Sequence, residues 1–176
     1  MRYFILIIPY LISFQLLGQL NPPDSSSNRQ IFFLEQTETL NKQLSQFKGK
    51  VIYIDIWATW CAPCISSLEY IKELNEYFNQ NSIIFLGLCV DMKQHKDNWK
   101  NLIYKHAVTG YHVFVEYETI DTYKSDLEIS RKEKKLLMEG YPRHLIVDKN
   151  GKIVELWTYG PKNKEKLIQQ LSSYIN

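Results

Sequence analysis

The sequence predicts an α/β fold in which a central mixed β-sheet is flanked by helices on both faces. Strand-like and helix-like segments alternate along the 176 residues, and the last two strand-like segments follow one another directly. The long, mostly apolar runs at 51–58 and 82–90 suit central strands that are covered on both sides. Asn150-Gly151, between two short apolar segments, is typical of an antiparallel hairpin. Parallel strands joined by helices would therefore end in an antiparallel pair.

The N-terminal region differs from the rest of the chain. After Arg2 the sequence is uncharged and mostly apolar as far as Gly18. A basic start, an apolar run shorter than a membrane span and a small residue at its end are typical of a secretory signal. We expect a signal peptide or an uncleaved anchor at 1–19, a polar linker at 20–30 and one domain at 31–176. Export would place that domain in the periplasm or cell envelope, where disulfides persist.

Composition limits the partners. The chain has 45% hydrophobic and 23% charged residues and a net charge of +2, as in an ordinary soluble domain. A net charge this small does not indicate a nucleic-acid-binding surface. The basic cluster at 131–135 contains an acid and lies on a predicted helix, so we interpret it as a solvated face, with a partner or lipid contact as the alternative. We expect a monomer that needs neither a cofactor nor a metal.

The first elements follow from local patterns. Ile31 to Leu34 is a short apolar strand. A helix over residues 37–47 is indicated by Thr37 as its N-cap and by apolar residues on one face, namely Leu40, Leu44 and Phe47. The continuous run at 51–58 then predicts the central strand.

A long helix follows from Cys61 to about Asn79, with apolar residues at helical spacing. The later elements are predicted in the same way. They are a buried strand at 82–90, a helix at 91–106, a strand at 111–115, a helix at 125–138, hairpin strands at 145–147 and 153–157, and a final amphipathic helix at 162–175.

The segment Trp60-Cys61-Ala62-Pro63-Cys64 lies where the buried strand ends and the long helix begins. At a helix N-terminus, unpaired backbone N–H groups and the helix dipole favour a negative charge. Such a setting lowers the pKa of a cysteine, so that thiolate is available at neutral pH. Cys64 follows one turn later, and Pro63 suits the first turn. We interpret Cys61 as the thiolate that attacks a partner disulfide and Cys64 as the thiol that resolves the mixed disulfide.

Two other uses of the pair stay open, a structural disulfide and half of a metal site. Zinc would need two more ligands, and no second Cys-x-x-Cys follows. Haem attachment would need histidine where Ile65 stands. Cys89 lies in an apolar strand and is expected to pack as a small hydrophobe, with a third redox role as its alternative.

Asp55 interrupts the central apolar strand six residues before Cys61. Burying a carboxylate is costly unless it is hydrogen-bonded or protonated. We interpret Asp55 as the proton acceptor for Cys64, directly or through a water. Its alternative is a carboxylate that caps a backbone group at the rim of the sheet.

Tyr141-Pro142 comes directly before a predicted strand. A cis peptide bond costs little only before proline, although it is the minority form there. A cis bond would turn the Tyr141 backbone toward the cysteines, where it could hold an extended client segment as an added strand. His144 follows two residues later; we expect it to pack in the core or at its rim, with a position near the site as the alternative.

Residues 51–64, VIYIDIWATWCAPC, resemble the active-site segment of thioredoxin-fold proteins, above all the exported TlpA/ResA-like thiol-disulfide oxidoreductases. Residues 140–154 resemble the cis-proline loop and the following hairpin of that family. The resemblance implies a thioredoxin-like fold with a family insert at 94–138, between a βαβ half and a C-terminal ββα half.

The same resemblance implies roles for individual residues. Cys61 is the attacking cysteine, Cys64 the resolving cysteine, Asp55 the buried acid and Pro142 the cis-proline. Many relatives carry an acid three residues after the second cysteine, where this chain has Ser67. Proton handling would then rest on Asp55 alone.

The resemblance also bears on partners. Family members commonly act as reductants in the cell envelope, some in cytochrome c maturation, with electrons from a membrane thiol donor. Client proteins are expected to contact the residues around the pair, namely Trp60, Ala62, Pro63, Tyr141 and Pro142. Two other functions stay open: a disulfide-donating oxidant, and a copper-carrying module that uses Cys61, Cys64 and His144, because thiolates suit Cu(I).

Overall fold

The computed structural model describes residues 30–125 and 140–175. The predicted signal peptide and nearly all of the linker lie outside them, as do the basic cluster and all but the first residue of the helix predicted at 125–138. The described elements, in chain order, are β1 (Ile31–Leu34), α1 (Leu40–Ser45), β2 (Ile52–Trp57), α2 (Ala62–Gln80), β3 (Ile84–Asp91), α3 (Lys96–Lys105), β4 (Gly110–Glu116), α4 (Ile120–Ser125), β5 (Arg143–Val147), β6 (Ile153–Glu155) and α5 (Lys164–Ile175).

One six-stranded sheet runs through the domain in the order β1-β4-β3-β2-β5-β6. The four strands from β1 to β2 pair in parallel, whereas β5 pairs antiparallel with β2 and with β6. The turn between β5 and β6 holds Gly151 at a φ of +86°, a left-handed conformation that glycine adopts without strain. The predicted mixed sheet and terminal hairpin are confirmed.

Strand β2 lies at the centre, and all six of its residues are buried. Successive side chains of a strand point to opposite faces. Tyr53 and Trp57 join the apolar cluster under α2, α3 and α5, whereas Ile54 joins the cluster under α1 and α4. Helices thus cover both faces of the sheet, as predicted, and Asp55 lies on the same face as α2.

Helix α1 is shorter than the sequence predicts, and its predicted N-cap is wrong. The cap is Thr39, whose hydroxyl oxygen accepts a hydrogen bond from the Lys42 N–H. The Thr37 hydroxyl instead donates to the Thr39 carbonyl at 2.8 Å. Thr37 therefore belongs to the approach to the helix, and the helix starts three residues later.

Other differences concern element ends. A 3₁₀ turn at Lys93–His95 precedes α3, so the helix predicted from Asp91 begins at Lys96. Strand β6 ends at Glu155 rather than at Trp157. In the part of the chain that the structure describes, no helix combines the length and the apolar character that crossing a membrane requires.

Candidate active site

Cys61 and Cys64 form a disulfide at the junction between β2 and α2, with their Cα atoms 5.2 Å apart. Cys61 is the N-cap of α2, and its sulfur accepts a hydrogen bond from the Cys64 N–H at 3.3 Å. The sulfur thus occupies the position where a helix start stabilises negative charge. Cys61 is 4% exposed and Cys64 is fully buried. Cys61 thus keeps a small exposed fraction, whereas Cys64 has none.

Exposed side chains surround the disulfide. Trp60 is 63% exposed, an unusual position for a residue of its size, and Ala62 and Pro63 are exposed as well. The Trp60 ring lies 5.7 Å from the ring of Tyr141, which belongs to the loop before β5. Large aromatic surface beside a reactive group is typical of a contact site for a partner protein.

The peptide bond between Tyr141 and Pro142 is cis, as the resemblance implies. Tyr141 packs against the apolar cluster that contains both cysteines. Directly after the proline, Arg143 starts β5 opposite Ile56 of β2. The cis-proline loop therefore lies at the end of the sheet where the disulfide is.

Asp55 is fully buried, and its partner across the antiparallel β2–β5 pair is His144. An oxygen of Asp55 lies 3.2 Å from the His144 Nδ1 atom. The two groups are close enough for an ion pair, but they are not aligned for a hydrogen bond, and neither Asp55 oxygen has a hydrogen-bond partner within the described residues. A buried carboxylate with spare acceptor capacity is chemically suited to take up a proton.

His144 is held on three sides. Its ring stacks on Tyr53 with centroids 5.8 Å apart, and its Nδ1 atom faces Asp55. On the remaining side lies the backbone of Gly160, where an added Cβ would meet the His144 Nε2 atom at 2.7 Å. The histidine that the sequence analysis expected in the core is thus buried, and it also contacts the candidate acid.

Gly160→Ala tests this fit. The glycine has a φ of −73°, so alanine brings no backbone strain, only the clash with His144. We expect a loss of about 1–3 kcal/mol in the free energy of unfolding, because overpacking a fixed ring forces neighbours to move. Chemical denaturation measures the loss. His144→Ser should remove most of it in the double variant; equal losses in both backgrounds would mean that His144 is not what confines position 160.

A second buried histidine lies on the same row of the sheet. His112 of β4 is opposite Gly87, which is opposite Asp55. Its Nε2 atom donates to the Val108 carbonyl at 2.8 Å. Burial lowers the pKa of His112 to about 4, against the weaker opposing effects of that hydrogen bond and of Asp55. His112 is therefore neutral at physiological pH.

Cys89 is a free thiol in β3 with no exposed surface. Burial, followed by the nearby charges of Asp91 and Asp55, raises its pKa well above the ordinary value. A protonated, enclosed thiol is a poor nucleophile. The expectation that Cys89 packs in the core is confirmed.

Sequence reasoning missed one residue of this region. Asp91, at the end of β3, binds Thr59 in the loop that leads to Cys61. The signal was available, since the carboxyl ends of parallel strands meet at one edge of a sheet, where functional groups collect. Asp91 ends an apolar strand that neighbours β2.

The chain is similar to known proteins in sequence and in fold. The family model described as Redoxin matches residues 22–171. The thiol-disulfide oxidoreductase ResA of Geobacillus thermodenitrificans is 26% identical over 145 residues, which cover 81% of this chain and 73% of the relative.

Solved structures show the same fold. A candidate thiol-disulfide oxidoreductase from Bacteroides vulgatus is 31% identical, with a TM-score of 0.52, 74% of this chain covered and 79% of the other. The thioredoxin domain of a thiol-disulfide oxidoreductase from the same organism has a TM-score of 0.58 at 21% identity, with 76% of this chain covered and 84% of the other. With a disulfide at the start of α2 beside a cis-proline loop, the chain belongs to the Redoxin family and is a TlpA/ResA-like thiol-disulfide oxidoreductase of the thioredoxin fold.

Proposed function

We propose that this oxidoreductase is exported and that it mainly reduces disulfide bonds in client proteins. The observation that supports the exchange reaction is the asymmetry of the pair: Cys61 caps α2 and keeps 4% of its surface exposed, whereas Cys64 is fully enclosed. We therefore assign the attack on the client to the Cys61 sulfur and the resolving step to the Cys64 sulfur.

The reaction starts from the dithiol form. The Cys61 thiolate attacks one sulfur of the client disulfide, so that a mixed disulfide forms and one client thiolate leaves and takes up a proton. Cys64 then loses its proton and attacks the Cys61 sulfur, which releases the second client thiolate. The client gains two electrons, and the protein ends with the Cys61–Cys64 disulfide that the structure contains.

Asp55 is proposed to accept the Cys64 proton in the second step. Its side chain lies on the face of the sheet that α2 covers, and it is buried without a hydrogen-bond donor among the described residues. Proton transfer to a positioned carboxylate speeds the attack because the thiolate is the nucleophile. His144 would steady the carboxylate from the other side.

Client binding is proposed at five residues around the disulfide: Trp60, Ala62 and Pro63, which are exposed, and Tyr141 and Pro142, which are half-buried. The Trp60 and Tyr141 rings offer apolar contact area at little cost in conformational entropy. The Tyr141 backbone can pair with an extended client segment, which brings a client disulfide over Cys61.

The proposed setting follows from the N-terminal sequence and from the resemblance. Residues 1–19 would direct export to the periplasm or cell envelope, as a cleaved signal or as a retained anchor. A membrane thiol donor would return the pair to its dithiol form after each turnover. Within this setting, cytochrome c maturation is the proposed pathway and a monomer the proposed state.

The midpoint potential of the cysteine pair tests the direction of electron flow. We expect a value near about −270 mV, as for reducing carriers of this chemistry, rather than about −120 mV, as for strong oxidants. Equilibration of the full chain with glutathione or dithiothreitol buffers, read by thiol alkylation, gives the potential. A value at the oxidising end, together with oxidation of reduced client peptides, would make the protein a disulfide donor instead.

A further inference from the structure

Asp91, the last residue of β3, binds the loop that connects β2 to α2. Asp91 is 2% exposed, and its two oxygens accept four hydrogen bonds. One oxygen accepts from the Thr59 N–H at 3.0 Å and from the Thr59 hydroxyl at 2.6 Å. The other accepts from the Met92 N–H at 2.8 Å and faces the His95 Nδ1 atom at 2.7 Å. Since a carboxylate only accepts, Nδ1 is the donor in the last contact.

Thr59 lies in the short connection between β2 and α2. The Cys61 N–H donates to the Ala58 carbonyl at 3.1 Å, so the chain turns sharply around Thr59 before the helix begins. Thr59 therefore sets the direction in which Trp60 and Cys61 leave the sheet, and both of its donor groups are bound by Asp91.

We propose that Asp91 is a positioning residue of the redox centre, which through Thr59 fixes the Cys61 sulfur against the first N–H groups of α2. Asp91 and Cys61 belong to different elements, and Thr59 is the link between them. The inference rests on the proposed role of Cys61 as the attacking thiolate.

The Asp91 side chain is an ionised carboxylate at neutral pH, because its pKa is lowered. Burial alone would raise its pKa, but the hydrogen bonds from Thr59, His95 and Met92 together outweigh burial and lower the pKa below the ordinary value. The contribution of these bonds is complete above the ordinary pKa of aspartate and is lost only as the pH falls through the lowered value.

Thr59 variants give the sharpest test. Thr59→Val removes the 2.6 Å hydroxyl bond and keeps the backbone bond, whereas Thr59→Ser keeps both. The readout is the rate at which iodoacetamide alkylates Cys61 in the reduced full chain, measured from pH 4 to pH 10. We expect Thr59→Val and Asp91→Asn to move the midpoint of this profile upward and to slow attack on a protein disulfide about tenfold, since small displacements at a reacting centre are costly. Thr59→Ser should match the wild type.

Asp148→Asn is the matched control. Asp148 also binds backbone N–H groups, those of Asn150 and Lys152, both at 2.9 Å, but it does so in the β5–β6 hairpin. The Asp148→Asn variant should be less stable than the wild type and should keep the wild-type alkylation profile of Cys61. Folded Thr59→Val and Asp91→Asn proteins with wild-type profiles would overturn the inference, as would an equal shift in Asp148→Asn. If the wild type reduced no protein disulfide, the proposed function would fall, while the alkylation profiles would still decide the role of Asp91.

Discussion

Cys61→Ser is expected to abolish disulfide exchange, whereas Cys64→Ser is expected to attack client disulfides and to stop at the mixed disulfide. The difference follows from burial, since Cys61 is 4% exposed at the start of α2 and Cys64 is enclosed. Serine at position 61 leaves no sulfur that a client can reach. Serine at position 64 leaves the first attack intact and removes the second.

Insulin reduction gives the rates, and non-reducing gels show the trapped species. Cys89→Ala is the control, because it removes a thiol that is buried and protonated, and it should keep wild-type turnover per folded molecule. Wild-type rates in Cys61→Ser would invalidate the assignment of the attacking residue. In cells, the Cys64→Ser variant should capture the client covalently, which identifies the pathway.

Asp55→Asn is expected to slow the resolution step about 100-fold, within the range typical of a lost general base, while the first attack by Cys61 changes little. The amide keeps the size of the carboxylate but cannot take up the Cys64 proton. Stopped-flow decay of a preformed mixed disulfide measures resolution separately from attack. In the Asp55→Asn variant the resolution rate should depend on hydroxide. It should therefore rise with pH over a range in which the wild-type rate is constant.

His144→Gln tests how much of the effect on resolution comes from His144 rather than from Asp55. Because His144 faces Asp55 at 3.2 Å and is proposed to act through it, the loss of His144 should shift the pH profile of resolution by less than the loss of Asp55 does. If Asp55→Asn retained both the rate and the pH profile of the wild type, Asp55 would have only a structural role.

Much of the site could be read from local sequence. The apolar run, broken only by Asp55, predicts β2 because a strand buried on both faces carries mostly apolar side chains. Proline in the first turn and a cysteine just before it predict the start of α2. These signals lie within a few residues of the structure that they predict, and together they predict where the Cys61–Cys64 pair lies.

Contacts between distant segments could not be read in this way. The pairing of Asp55 with His144 depends on the register of β2 against β5, which tertiary packing sets. Tertiary packing also decides that Thr39 rather than Thr37 caps α1. Threonine is a good N-cap at either position, but only Thr39 lies where its hydroxyl can accept from the start of the helix. The place of Asp91 at the end of a predicted strand marks it as a candidate, but its contact with Thr59 depends on β3 lying beside β2, which spacing along the chain does not specify.

The enclosed position of Cys89 bears on how the protein survives repeated use. Three cysteines allow three pairings, and two of them would be dead ends. Since the folded chain encloses the Cys89 sulfur and burial raises the pKa of its thiol, we expect scrambled isomers to form mainly while the molecule is unfolded. Each round of oxidation then returns the same covalent isomer, and the working life of the molecule depends on how rarely its core opens.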